Sequence, residues 1–185
     1  METARRFLTL HAEILRRFQA VLGQKITAKR IRIHGHYHLG QILYTGKDFV
    51  IVDFEGLPDR PLSERRMKRS GLRDVAGMLC SFFFAAEVSL RSQVGRGVIS
   101  EAGLSAQNSW ALLWNRWVSS SFLKAYLDVA AQGSFLPTTK EELQLLLGVY
   151  QLEKAVDELG LALIHHREWI MLCLKQIRLL LEETH

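Results

Sequence analysis

The sequence predicts an α+β chain, mainly α: one leading helix, a small β-hairpin carrying a polar loop, then a bundle of helices. Three observations carry that prediction. Apolar residues recur at the helical period through several long segments. A run of β-branched and aromatic residues around a turn signal stands near residue 50. The composition, 48% apolar and 23% charged over 185 residues, is that of one globular domain with a sizeable core.

Taken in order, residues 3–22 place Phe7, Leu8, Leu10, Ile14, Leu15, Phe18, Val21 and Leu22 near the helical period, and Gly23 ends the pattern. "RIRIH" and "QILY" then read as short strands, "TGKD" as a turn and "FVIVDF" as a third strand. A long helix is predicted from about Leu72 to Val94, with Val75, Met78, Leu79, Phe82, Phe83 and Ala86 as its apolar stripe, closed by the Gly-rich "GRGVISEAG". Another spans about Ala106 to Ala131. Its Trp110, Trp114 and Trp117 share one face, read as a core stripe continued by Leu113, Val118 and Phe122, with a sugar-stacking platform as the alternative. After Pro137, Thr138 or Thr139 is placed to cap a helix, with Glu141 or Glu142 reaching back, and the pattern runs to His165 and His166. "EWIMLCLKQIRLLLEE" supplies the last helix. The organisation expected is a single domain, 1–185: a leading helix over 1–30, a catalytic-type loop and hairpin over 31–56, and a helical bundle over 71–185.

Composition narrows the function classes. No apolar run is read as a membrane span, since "LCSFFFAAEVSL" meets Glu87 and then Arg91, and the N-terminus lacks the apolar core of a secretory signal. A cytoplasmic protein is expected. Cys80 and Cys173 stand far apart inside helical patterns, which fits buried thiols rather than a metal pair or a disulfide framework. The net charge is +5, yet "SERRMKRSGLR" gathers Arg65, Arg66, Lys68, Arg69 and Arg73 in eleven residues. Such a run meets phosphates or pairs with Glu55 and Glu64; a solvated face is the reading preferred over nucleic-acid binding.

The chemistry concentrates in "RIHGHYHLGQILYTGKDFVIVDFEG", residues 32–56. On a strand, His34, His36 and His38 would face one side, as a transition-metal cage requires, although zinc would want a further ligand. A second reading is phosphoryl transfer. Protein-kinase-like folds use an aspartate to receive the hydroxyl proton, an amide five residues later for metal, and another aspartate beyond the next hairpin for metal. Gln41 lies five after His36, and Asp53 ends "FVIVDF", followed by "EG".

The stretch "RIHGHYHLGQILYTGKDFVIVDFEGLPDRPLSERRMKRSGLRDVAGML", and more weakly "LEKAVDELGLALIHHREW", resembles the C-terminal lobe of the maltokinases, in particular the maltokinase modules fused to trehalose synthase. The resemblance implies a two-lobed, aminoglycoside-phosphotransferase-like kinase of the protein-kinase-like superfamily. That family moves the γ-phosphate of ATP to the anomeric hydroxyl of maltose, with Mg2+, in glycogen and trehalose metabolism. It assigns metal binding to Gln41 and Asp53 and loop-supporting roles to His34 and His38.

Three departures accompany the likeness. The family pattern reads H-G-D-Y-H-L-G-Q, and His36 occupies the catalytic aspartate's place. Leu161, Ala162, Ile164, His165, His166 and Arg167 stand where a tyrosine, a glutamate, two asparagines and Arg-Pro are expected before Glu168 and Trp169. The residues ahead of His34 are read as one amphipathic helix, so the N-lobe that the resemblance implies is not expected among them. The expectation is therefore a kinase lobe that is inactive or impaired alone, as a fragment or truncated product. The alternative is a noncatalytic module that binds a sugar or a partner. Expected partners are maltose or a related α-glucoside and an N-lobe or trehalose synthase. Self-association is also expected, through the face formed by the first helix and a hairpin whose Leu43, Tyr44, Phe49 and Ile51 are expected to lose part of their cover.

Overall fold

A computed structural model of the chain describes residues 2–57, 60–100 and 103–182. The elements are α1 (Glu2–Leu22), β1 (Ile42–Tyr44), β2 (Phe49–Ile51), α2 (Leu62–Arg65), α3 (Leu72–Gly95), α4 (Leu104–Ala130), α5 (Lys140–His165) and α6 (Ile170–Glu182), with 3-10 turns at Leu39–Gln41 and Arg167–Trp169. The α+β, mainly helical reading holds at that level. Glu101 and Ala102 of the predicted connector, and Glu183 of the predicted last helix, lie outside the described residues. The backbone divides into two compact units, Met1–Lys29 with Leu136–His185, and Arg30–Phe135.

In the first unit, α5 and α6 pack through Leu146, Leu147, Leu152, Ala155, Leu159 and Ala162 on one side and Leu172, Cys173, Ile177 and Leu181 on the other. Burial pushes the Cys173 thiol up to about 11, so it stays protonated and inert. Thr139 caps α5, its hydroxyl accepting from the Glu142 N–H at 3.2 Å. The Glu142 carboxylate does not reach back to the cap. It accepts instead from the Thr27 N–H at 2.7 Å, the Thr27 hydroxyl at 2.6 Å and the Ala28 N–H at 3.2 Å, tying the segment after α1 to the start of α5. At the other end, Arg17 donates to the Leu181 carbonyl at 3.1 Å, satisfying a carbonyl in the last turn of α6.

In the second unit, α3 is the central element. Leu72, Val75, Ala76, Met78, Leu79, Cys80, Phe82 and Phe83 are buried, and α4 packs against it, with Phe122 edge-on to Phe82 at 5.6 Å. Among the described residues α3 is long and apolar enough to cross a bilayer, with 56% of its most apolar stretch buried inside the protein. This corrects the expectation that no segment approaches a span. More than half of that stretch is covered by protein, as in the core helix of a folded domain.

The tryptophan stripe is a second correction. Trp110, Trp114 and Trp117 are 65%, 47% and 73% exposed, and Leu113 on the same helix is exposed too. Shared helical spacing put them on one face, but α4 packs on α3 through the opposite one. The hairpin pairs Ile42 with Ile51, Leu43 with Val50 and Tyr44 with Phe49 across a turn at 45–48, where the Thr45 N–H meets the Asp48 carbonyl at 2.9 Å. Leu43, Tyr44, Phe49 and Ile51 are all exposed.

Candidate functional site

The polar loop runs between two anchors. At its start, Ile31 and Arg69 exchange backbone hydrogen bonds of 2.9 Å each way, an isolated bridge and not the predicted strand "RIRIH". At its end, Gln41 enters β1.

Between the anchors the loop lies against one face of α3. Asp74, in the first turn of that helix, accepts from the His34 N–H at 2.7 Å with one carboxylate oxygen and from the Gly35 N–H at 2.9 Å with the other. One turn on, Gly77 comes so close to the Tyr37 carbonyl that a Cβ there would sit 2.6 Å from the oxygen. Another turn on, the Ser81 hydroxyl accepts from the Leu39 N–H at 3.1 Å. Residues 74, 77 and 81 share a helix face, so the helix presents an anion, a gap and a hydroxyl in register with the loop.

Those contacts fix the histidines differently from a strand. Gly35 turns the chain at φ +83°, a left-handed conformation that glycine adopts without strain, and alternation is lost there. His34 is buried, with its ring between Tyr37 and Phe54. Its Nε2 lies 2.7 Å from the Val52 carbonyl, which can only accept, while its Nδ1 accepts from the His36 N–H at 3.3 Å. The two bonds together select the neutral tautomer protonated on Nε2. His38 turns onto its own chain, Nδ1 accepting from the Gly40 N–H at 3.0 Å as cap of the 3-10 turn. The His36 ring stands edge-on to His38 at 4.5 Å. Three rings on one side of a strand are therefore not formed. Among the described residues no group of three or more His, Cys, Asp or Glu is arranged to hold a metal.

Gln41 directly precedes β1 and Asp53 follows β2, so the two flank the base of the hairpin. The Gln41 side chain is buried, and the residue's backbone carbonyl accepts from the Val52 N–H at 3.0 Å. Val52 is thus held on both sides, its N–H by Gln41 and its carbonyl by His34. Asp53 follows directly, but not at a strand end as predicted, because β2 stops at Ile51. It is exposed and left-handed, at φ +60°, a region aspartate tolerates better than most residues. Gly35 and Gly56 approach one another, a Cβ on Gly35 lying 3.6 Å from the Gly56 Cα, so the segments carrying His36 and Asp53 lie side by side.

Burial pushes the Asp74 carboxyl above the usual carboxylate value, outweighing the Gly35 and His34 N–H bonds that favour its ionised form. Burial and then the charge of Asp74 raise the Tyr37 and Tyr126 hydroxyls. Asp74 was not singled out from the sequence, where an acidic residue in a helix's first turn looks like an ordinary dipole preference. The available signal was the interruption of an apolar helix by Asp74, Gly77 and Ser81 at helical spacing.

No protein-family profile matches the chain. A curated glucosamine kinase from Streptacidiphilus jiangxiensis is 28% identical over 121 residues, which is 65% of this chain and 24% of the relative. A solved glucosamine kinase in complex with glucosamine, ADP and inorganic phosphate is 26% identical, with a TM-score of 0.66 over 83% of this chain and 36% of its own. Another glucosamine kinase structure, crystal form B, aligns over 100% of this chain and 42% of its own, with a TM-score of 0.80 at 24% identity, a likeness of fold. The chain thus spans about a quarter of the curated relative and about two fifths of the solved chains. The fold is that of a kinase-like sugar phosphotransferase.

Proposed function

We propose that the chain forms the loop-bearing part of an ATP-dependent sugar kinase whose acceptor is an amino sugar of the glucosamine class. The observation that carries this reading is the double hold on Val52, which ties His34 and the Gln41 backbone to the residue just before Asp53. The glucosamine kinase likeness supports a sugar as acceptor, and glucosamine over maltose as its type.

The Gln41 amide and the Asp53 carboxylate offer hard oxygen donors, the type Mg2+ takes while keeping phosphate and water oxygens as its other ligands. Bound there, Mg2+ would neutralise charge on the phosphates of ATP. His36, in the proton acceptor's place, takes the proton from the sugar hydroxyl as its oxygen bonds to the γ-phosphorus and the bond to ADP breaks. A neutral imidazole can accept that proton but lacks a carboxylate's fixed charge. Asp74, Gly77 and Ser81 hold the loop rigid, which matters because positioning dominates phosphoryl transfer.

The identity of His36 supports a second reading, a lobe that binds sugar without chemistry. A chimera separates the two. This chain replaces the matching part of a glucosamine kinase, and transfer of radiolabelled phosphate from ATP to glucosamine and to maltose is measured. Transfer to glucosamine that rises on the order of a hundredfold in His36→Asp and disappears in Asp53→Ala is the expected result. Activity only after His36→Asp would establish the noncatalytic reading. A folded His36→Asp chimera that binds ADP yet transfers nothing would end the kinase proposal.

A further inference from the structure

Within and just ahead of the arginine run, four arginines fall into two groups. The Glu64 carboxylate accepts from Arg60 at 3.2 Å and from Arg69 at 3.4 Å, so those two are compensated. Arg65 and Arg66 face elsewhere. With Arg32, Glu55 and Leu62 they line a cleft of about 410 Å³. Arg32 reaches it because the Ile31–Arg69 bridge lays the start of the loop beside the run.

Within the cleft Arg65 donates through Nη1 to the Glu55 carbonyl at 3.3 Å, while its Nε is buried with no acceptor. A guanidinium N–H withdrawn from water without a partner is unfavourable until something accepts from it. Three arginines and one glutamate line the cleft, leaving a local excess of positive charge, and the guanidinium fork matches two oxygens of a phosphate. Glu55 would repel a bare anion but can accept from a hydroxyl or ammonium group on the same ligand. The volume is within the range of small-molecule pockets. His36, Gln41 and Asp53 do not line it.

We propose that this cleft binds a small phosphate monoester carrying hydroxyl or ammonium donors, its phosphate on Arg32, Arg65 and Arg66 and a donor on Glu55. A nucleic-acid strand fits less well, because pairing of Arg60 and Arg69 with Glu64 interrupts any continuous cationic track.

Calorimetric titration of the chain in EDTA tests this with glucose 6-phosphate, inorganic phosphate, glucose and single-stranded RNA. Glucose 6-phosphate should bind more tightly than inorganic phosphate, and glucose should give no heat. Arg66→Gln and Arg32→Gln, at exposed positions, should each weaken both phosphate compounds about tenfold. Glu55→Gln should abolish the preference for the ester while leaving inorganic phosphate bound. Absence of binding by either phosphate compound, indifference to both arginine changes, or RNA binding tighter than the ester would overturn the proposal. Because no magnesium is present, the result is independent of whether the kinase chimera works.

Discussion

Replacing Asp74 with alanine should release the polar loop from α3 without dissolving the helices. The carboxylate holds two N–H groups, and their surroundings differ: that of His34 is part-buried, that of Gly35 exposed. Water can replace the carboxylate at Gly35 but not fully at His34. A lost bond to a charged acceptor costs about 1.5–3 kcal/mol where the donor stays buried, and a few tenths where water takes over. Relief of the carboxylate's own burial offsets part of this, leaving about 2 kcal/mol, or about a thirtyfold rise in local opening. Hydrogen exchange at the Gln41 and Val52 amides, both in the stitched base of the loop, reads that opening directly. Asp74→Asn keeps one acceptor oxygen and should show roughly half the effect in free energy. Burial holds the carboxyl of the folded chain above its unfolded value of about 3.9, so the proton-linked part of its contribution is full below that pH. It is lost as pH rises through the folded value, and Asp74→Asn should remove this slope from the stability profile. Unchanged exchange at Gln41 and Val52 in Asp74→Ala, with overall stability reduced, would refute the clamp.

Gly77→Ala should destabilise the chain by about 1–3 kcal/mol in urea unfolding, although alanine favours helix, because the new Cβ meets the Tyr37 carbonyl. Gly160→Ala, in α5 with nothing within 4 Å, should instead stabilise by up to about 1 kcal/mol, and the opposite signs isolate the close approach. Thr139→Ala should cost about 1 kcal/mol in the same assay and raise exchange at the Glu142 amide, its cap bond being lost. The Thr27 hydroxyl, followed by the Thr27 and Ala28 N–H groups, holds the Glu142 carboxyl below its usual value, so this tie is present above the unfolded value and lost as pH falls through the folded one. The Thr27 amide resonance should follow that loss on acidification, and Glu142→Gln should flatten the response.

Much of this architecture was legible in one dimension. Helical periodicity located α1, α3, α4, α5 and α6 to within a few residues, because an amphipathic or fully covered helix writes its period into the chain. "TGKD" between the two short strand-like runs "QILY" and "FVIVDF" marked the hairpin. The candidate loop was legible as a spacing, with Gln41 five residues after His36 and Asp53 beyond the hairpin. Its shape was not. Alternation of His34, His36 and His38 suggested a strand, but Gly35 at φ +83° breaks the alternation and the three rings go to separate tasks.

What the sequence by itself determined was therefore the inventory: mainly helical elements, one hairpin, and a polar loop with phosphotransfer spacing. These depend on local periods and turn chemistry, which neighbours in the chain are enough to express. Tertiary structure alone decided which face of α4 is covered, leaving Trp110, Trp114 and Trp117 exposed, and which helix clamps the loop, through Asp74, Gly77 and Ser81. It also decided which arginines are neutralised by Glu64 and which line the cleft with Glu55. Such outcomes depend on pairings between residues distant in the chain, and a period specifies that a helix has a face without naming what the face will meet.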